Sequence, residues 1–175
     1  VHLHWIQGEM MSVEQLTLIN KPIVWTFHDM WPFTGLSHYS RSNKYYCTSS
    51  LSSFNSIKSR FSSSVDNFFW LRKYKAFRKH PSINVVTPSN WLTQCASKSY
   101  IFASRKVSTI HNPIDTTYWS QITPASSRKD LGIPLDRLII LFGSSHSLND
   151  WRKGFDILVQ MLYKVQDLMD VHRLH

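Results

Sequence analysis

The sequence predicts an α/β protein built on parallel strands, and three observations carry that prediction. Short runs rich in β-branched, aromatic or aliphatic residues recur at Ile23–Phe27, Ile83–Thr87 and Arg137–Phe142. Segments of helical period follow them, at 65–79, after Ser89 and at 154–171. Gly, Pro or polar residues close each run, and strands that alternate with helices imply crossover connections and a parallel sheet.

Taken in order, Val1–Ile6 alternates apolar and polar residues, as a strand with one covered face does. Ser12 and Gln15 have capping-box spacing, and Val13, Leu16, Leu18 and Ile19 predict a helix up to Asn20. Ile23–Phe27 reads as a buried strand, and Ser37 to Ser64 as a long Ser-rich loop without apolar period. Ser64 caps a predicted helix Val65–Lys79, with Phe68, Leu71, Tyr74 and Phe77 on its apolar side. Arg72, Lys73, Lys75, Arg78 and Lys79 form a basic side, either an ordinary solvated face or a contact for anionic membrane lipid.

Ile83–Thr87 is a second buried strand, broken by Pro88, and Ser89 caps a helix containing Trp91, Leu92, Cys95 and Ala96. Lys106–Ile110 closes the first sheet, and His111-Asn112-Pro113 ends it. Asp115–Asp136 has linker composition, with a short helix Ser126–Leu131 stopped by Gly132. Arg137–Phe142 then opens a new buried strand, and a helix runs from Gly154 to Val171. The expected division is 1–115, a linker over 116–136, and a truncated second domain over 137–175.

Bulk properties narrow the function classes. A hydrophobic content of 42% with 14% aromatic residues indicates a globular chain. No apolar run approaches the roughly 18 residues of a membrane-spanning helix, and the opening lacks the basic region of a secretory signal. Cys47 and Cys95 lack metal or redox spacing, which points to a reducing, cytoplasmic setting. No paired Asp motif calls for a divalent ion. The formal charge of +9 favours phosphorylated ligands, anionic lipid or other polyanions without choosing among them. The apolar start without Met and the helical period running almost to the end predict an internal piece of a longer protein.

The most informative stretch is Pro22–Gly35, P-I-V-W-T-F-H-D-M-W-P-F-T-G. It delivers His28 and Asp29 at the carboxyl end of a predicted strand, where α/β sheets form their ligand crevice. Imidazole titrates near neutrality and a neighbouring carboxylate can orient it, although a structural pair capping the loop is the bland alternative. Arg152 and Lys153 lie at a helix entrance, where amide N–H groups favour anions, and Gly154 permits close backbone approach.

Followed by His38-Tyr39-Ser40, this stretch resembles the signature of a polysaccharide-biosynthesis subgroup of family 4 glycosyltransferases, retaining enzymes of the GT-B architecture. V-V-T-P-S-N-W-L (Val85–Leu92), I-H-N-P-I-D-T (Ile110–Thr116), the Arg128…Leu131-Gly132 step and R-K-G-F (Arg152–Phe155) fit the same pattern in the same order. The resemblance implies a partial Rossmann-like acceptor domain followed by the first βα unit of a Rossmann-like donor domain, facing each other across a cleft. It implies that His28 borders the sugar and the reacting centre, that Asp29 orients His28 or the loop, and that Thr34, Gly35 and His38 line the acceptor pocket, with His38 equally readable as a loop anchor. Lys153 matches a residue that contacts the donor diphosphate. Arg152 stands in for an Arg that many relatives carry after the strand, since Ser144 follows Gly143 here.

The implied co-substrate is a nucleotide sugar, with no metal or other cofactor, and the implied acceptor is a glycan or lipid-linked saccharide at the inner face of the membrane. The family places several Cys in the loop after the motif; this chain has Ser37, Asn43 and Ser50 there and keeps Cys47. The family's Glu-containing donor motif and the first Gly-rich turn lie outside these residues, so this chain by itself is expected to be inactive. Two rivals stand beside that reading. One is a non-catalytic basic module binding nucleic acid or anionic membrane; no recognised nucleic-acid motif is present, so nucleic acid is not an expected partner. The other is a relic that keeps the scaffold without activity.

Overall fold

The computed structural model describes residues 1–8, 10–40, 64–80, 82–120, 122–144 and 150–166. The chain divides into two compact units, Val1–Pro113 and Ile114–His175.

The first unit is a four-stranded sheet in the order β1 (His2–Leu3), β2 (Ile23–Thr26), β3 (Ile83–Thr87), β4 (Val107–Thr109), every pair parallel. Leu3 faces Trp25, Trp25 faces Val85, and Val85 faces Val107, so one row of the sheet runs across all four strands. The connections carry a 3-10 turn (Gln15–Leu18), helix α1 (Ser64–Lys79) and helix α2 (Asn90–Ser97). Right-handed crossovers between strands in sequential order place all the connecting elements on one face. The burial pattern agrees: Ile23, Trp25 and Phe27 are buried, whereas Val24 is 39% exposed and Asn84 is exposed. The strands read as buried are therefore covered on one face.

Trp25, Phe27, Phe77 and Phe102 form the centre of the core through edge-on ring contacts at 5.0–5.2 Å. Rings set edge to face add about 0.5–1.5 kcal/mol per pair to the burial of their area. Ser89 caps α2 by accepting from the Leu92 N–H at 3.2 Å, as its position predicts.

Several elements differ from the expectations. The helix expected over 12–20 is a single 3-10 turn. The capping box forms, with the Ser12 N–H donating to Gln15 Oε1 at 2.7 Å, but Ile19 is extended and its carbonyl oxygen lies 2.9 Å from His80 Nε2. That side-chain contact, with Pro22 close behind, turns the chain into β2 before a second turn can form. In α1 the buried residues are Asp66, Trp70, Lys73, Ala76 and Phe77, while Phe68 is exposed. Of the expected apolar side, Leu71, Tyr74 and Phe77 pack on the core and Phe68 does not; of the expected basic side, Lys73 alone is buried. Arg72 pairs with Glu14 at 2.7 and 2.8 Å, and Lys75, Arg78 and Lys79 remain exposed. The loop expected over 37–64, including Cys47, lies mostly outside the described residues.

In the second unit, helix α3 (Thr116–Ser120) occupies part of the expected linker. Helix α4 (Pro124–Asp130) begins two residues earlier than predicted, because Thr123 accepts from the Ser126 N–H at 3.2 Å and Pro124 suits the first helical position. Gly132, at φ 67°, ends it in the left-handed conformation as expected. The strand expected over 137–142 does not form: this stretch is irregular apart from an isolated bridge at Leu138, and Leu141 is 91% exposed. A strand needs a neighbouring strand along its length for its N–H and C=O groups, and the described residues of this unit contain no strand. Helix α5 (Phe155–Gln166) follows, and the predicted continuation to Val171 lies outside the described residues. No helix among the described residues is long and apolar enough to cross a membrane.

Candidate functional site

The segment after β2 folds into a compact loop at the carboxyl end of an inner strand. The Phe27 N–H still bonds to the Val86 carbonyl at 2.8 Å, so His28 is the first residue to leave the sheet. A 3-10 turn at Trp31–Phe33 follows, and the Met30 N–H donates to the His38 carbonyl at 2.9 Å, which closes the loop on itself.

Asp29 organises this loop. It is only 6% exposed, and its two oxygens take up three donors. Oδ1 accepts from the Trp31 N–H at 2.9 Å, a turn typical of Asp. Oδ2 accepts from the Trp5 indole N–H at 3.3 Å and lies 2.6 Å from Nδ1 of His38. A carboxylate can only accept, so Nδ1 of His38 carries the proton and Nε2 is left on the other side of the ring. The His38 side chain is 43% exposed, and the Trp5 ring lies beside it with centroids 6.2 Å apart.

His28 belongs to a different arrangement. It is exposed, its Nε2 lies 3.1 Å from Nδ1 of His4, and the two rings stack at 5.4 Å. His2 extends the row, with its ring 4.4 Å from that of His4 and its Nε2 2.8 Å from the Thr26 hydroxyl. Of the two roles expected for Asp29, orienting His28 or the loop, the contacts are with the loop: the imidazole on Asp29 is His38, not His28. Adjacent residues leaving a strand point to opposite sides, so Asp29 turns under the loop while His28 stays on the open side with His4.

Thr34 and Gly35 are interior parts of the loop. Thr34 is fully buried, and its one hydroxyl proton has two carbonyl acceptors within reach, those of Met30, at 3.1 Å, and Ser37. Gly35 lies so close to α1 that a Cβ there would sit 2.2 Å from Asp66 Oδ1 and 2.6 Å from the Asp66 carbonyl oxygen. Asp66 accepts from the Leu36 N–H at 2.7 Å.

Sequence reasoning missed Lys73. It is 1% exposed, and its Nζ donates to the carbonyls of Trp31 at 2.6 Å, Thr34 at 3.2 Å and Gly35 at 2.6 Å. The same nitrogen lies 3.6 Å from the centre of the Trp31 ring. Burial, partly offset by the charges of Asp29 and Asp66, pushes this ammonium down to about 6. The three carbonyls add an upward pull, because an ammonium has three N–H groups for them and a neutral amine only two. The acceptor set therefore matches the charged form, which persists to higher pH than burial alone allows.

In the second unit, Arg152 and Lys153 lie in a 3-10 turn, Trp151–Lys153, ahead of α5. Arg152 Nε donates to both Asp150 oxygens, at 2.9 and 3.1 Å, and a terminal nitrogen donates at 2.5 Å. The Arg152 hydrogen bonds hold the Asp150 carboxyl down at about 2. Lys153 is exposed. Gly154 adopts φ 69°, and a Cβ there would meet nothing within 4 Å, so the backbone conformation rather than space calls for glycine.

Among the described residues, no group of three or more His, Cys, Asp or Glu side chains is placed to hold a metal ion. Comparison with protein-family models, curated proteins and solved structures returned no match. The likeness to family 4 glycosyltransferases accordingly rests on the motifs quoted above.

Proposed function

We propose that this chain is part of a family 4 glycosyltransferase of GT-B architecture, with Val1–Pro113 on the acceptor side and the turn before α5 on the donor side. The observation that carries the reading is the loop after β2. The residues that resemble the family motif form one hydrogen-bonded structure at the carboxyl end of a parallel sheet, and they present the imidazoles of His28 and His38 on separate supports. In this reading His28 and the Asp29–His38 pair hold hydroxyl groups of a glycan or lipid-linked acceptor. Thr34 and Gly35 shape the pocket from inside, and Lys153 with Arg152 neutralises the diphosphate of a nucleotide sugar. The location that follows is cytoplasmic, with the exposed Lys75, Arg78 and Lys79 available to an anionic membrane surface.

Histidine- and lysine-selective NMR on the chain tests this. Short prenyl-diphosphate-linked saccharides are expected to shift His28 and His38, and UDP- or GDP-sugars are expected to shift Lys153. If neither class moves these signals while single-stranded DNA does, in a salt-dependent way, the nucleic-acid alternative replaces the proposal.

A further inference from the structure

We infer that Lys73 is a positioning residue of the candidate site: it fixes the loop after β2 and thereby sets the orientation and tautomer of the Asp29–His38 pair. The inference deepens the reading above, and it rests on it only in counting that pair as part of the site.

Lys73 lies on α1, far along the chain from the loop, in a run of basic residues that otherwise face solvent or pair with Glu14. Its nitrogen gathers the carbonyls of Trp31, Thr34 and Gly35, at the start of the 3-10 turn and just after it. One of these, Trp31, also gives its N–H to Asp29 Oδ1. The peptide groups of Trp31 therefore link the buried ammonium to the carboxylate that holds His38. Asp29 and Asp66 act on Lys73 through their charge as well. Asp66 tethers the far end of the loop through Leu36, and Gly35 admits the close approach of α1. A hydrocarbon in place of Lys73 would leave three loop carbonyls facing an apolar wall and Asp29 without its nearby cation. The loop would re-form around other partners, and the short contact between Asp29 and His38 would be the first geometry lost. His28 provides an internal control, because its partner is His4 and no contact connects it to Lys73.

The test is ¹⁵N NMR of the histidine rings in the whole chain, without ligand, for the native protein and for Lys73→Met and Lys73→Gln. The native His38 is expected to show a protonated, slowly exchanging Nδ1 and an unprotonated Nε2. In Lys73→Met the Nδ1–H signal is lost and the two tautomers mix, with the His4–His28 signals unchanged. Lys73→Gln, which keeps two donors, gives a smaller change. A native-like His38 spectrum in Lys73→Met overturns the inference, as does an equal disturbance of His28.

If neither variant folds, the native protein decides. Its Lys73 ammonium should be protected from exchange with water, and its ε-methylene protons should be shifted upfield by the Trp31 ring. A freely exchanging, unshifted Lys73 signal would overturn the inference. Since no ligand enters the experiment, this outcome is separable from failure of the transferase reading.

Discussion

Gly35→Ala probes the contact between the loop and α1 with one methyl group. Gly35 is not among the residues of positive φ, so alanine meets no backbone strain there and the penalty is steric. The new Cβ would lie 2.2 Å from Asp66 Oδ1, 2.5 Å from Cγ and 2.6 Å from the Asp66 carbonyl oxygen. Rotating the carboxylate away relieves the first two contacts but breaks its hydrogen bond with the Leu36 N–H. Overpacking of this kind costs about 1–3 kcal/mol, and a hydrogen bond to a charged group contributes about 1.5–3. Stiffening of the unfolded chain by alanine offsets about 0.4–1. A net loss of about 3 kcal/mol follows, or about 1–3 M in the urea midpoint at the usual slopes.

The Asp66→Ala background separates the causes. There the side-chain clash is gone and the backbone oxygen at 2.6 Å remains. Gly35→Ala should then cost roughly half as much, leaving a coupling energy of about 1–2 kcal/mol between the two sites. Equal cost in both backgrounds would show that the Asp66 side chain is not what excludes the methyl group. A cost below about 0.5 kcal/mol in the native background would refute the close approach itself.

Three further predictions concern charge. Lys73 is pushed down from 10.5 in the folded state, so the unfolded chain holds its proton more tightly. From this group, stability is lowest at low pH and rises as pH passes from the folded value, which is no lower than about 6, towards 10.5, by a few kcal/mol at most; the rise should vanish in Lys73→Met when urea midpoints are compared across that range. The Arg72 hydrogen bond lowers Glu14 from 4.5 to about 2, so its contribution is present above pH 4.5 and lost as pH falls through 2. Both groups are well exposed and the ion pair is screened, so Glu14→Gln should cost about 0.5 kcal/mol at neutral pH and nothing at the acid end, read by thermal melts at matched ionic strength. In the second unit, Asp150→Ala removes the carboxylate that occupies Arg152. Inorganic pyrophosphate should then bind several-fold tighter by calorimetry, and unchanged or weaker binding would remove Arg152 from the proposed donor site.

The sheet was legible because its strands obey local rules. Ile23–Thr26 and Ile83–Thr87 combine β-branched and aromatic residues with punctuation at their ends, and Ser89 sits where an N-cap belongs. The place of the site was legible for the same reason, since His28 and Asp29 end a strand in an α/β pattern. The pairing within it was not. Which imidazole meets Asp29 depends on the loop returning from Met30 to His38, and no periodicity encodes a return of that kind. The inner face of α1 was legible in part: Leu71, Tyr74 and Phe77 pack on the core as expected, but two of its buried residues, Asp66 and Lys73, are charged, and a hydrophobic pattern assigns them to the surface. At 137–142 the composition of a strand is present, but pairing is a property of neighbours rather than of the run itself.

The charges beneath the loop argue for its importance independently of any reaction assigned to it. Asp29, Asp66 and Lys73 are each less than a tenth exposed, and all three spend hydrogen bonds on main-chain groups between Trp31 and Leu36. Burying ions costs several kcal/mol each before their partners repay it, and apolar side chains of similar size often stabilise a fold as well or better. Global stability alone therefore does not call for this set. What the set supplies is geometry: together the three ions hold one short segment at Trp31, Thr34, Gly35 and Leu36, so the segment has few other conformations that satisfy them all. A loop held in this way, with the half-exposed imidazole of His38 hydrogen-bonded to buried Asp29, is built to keep that pair in one geometry.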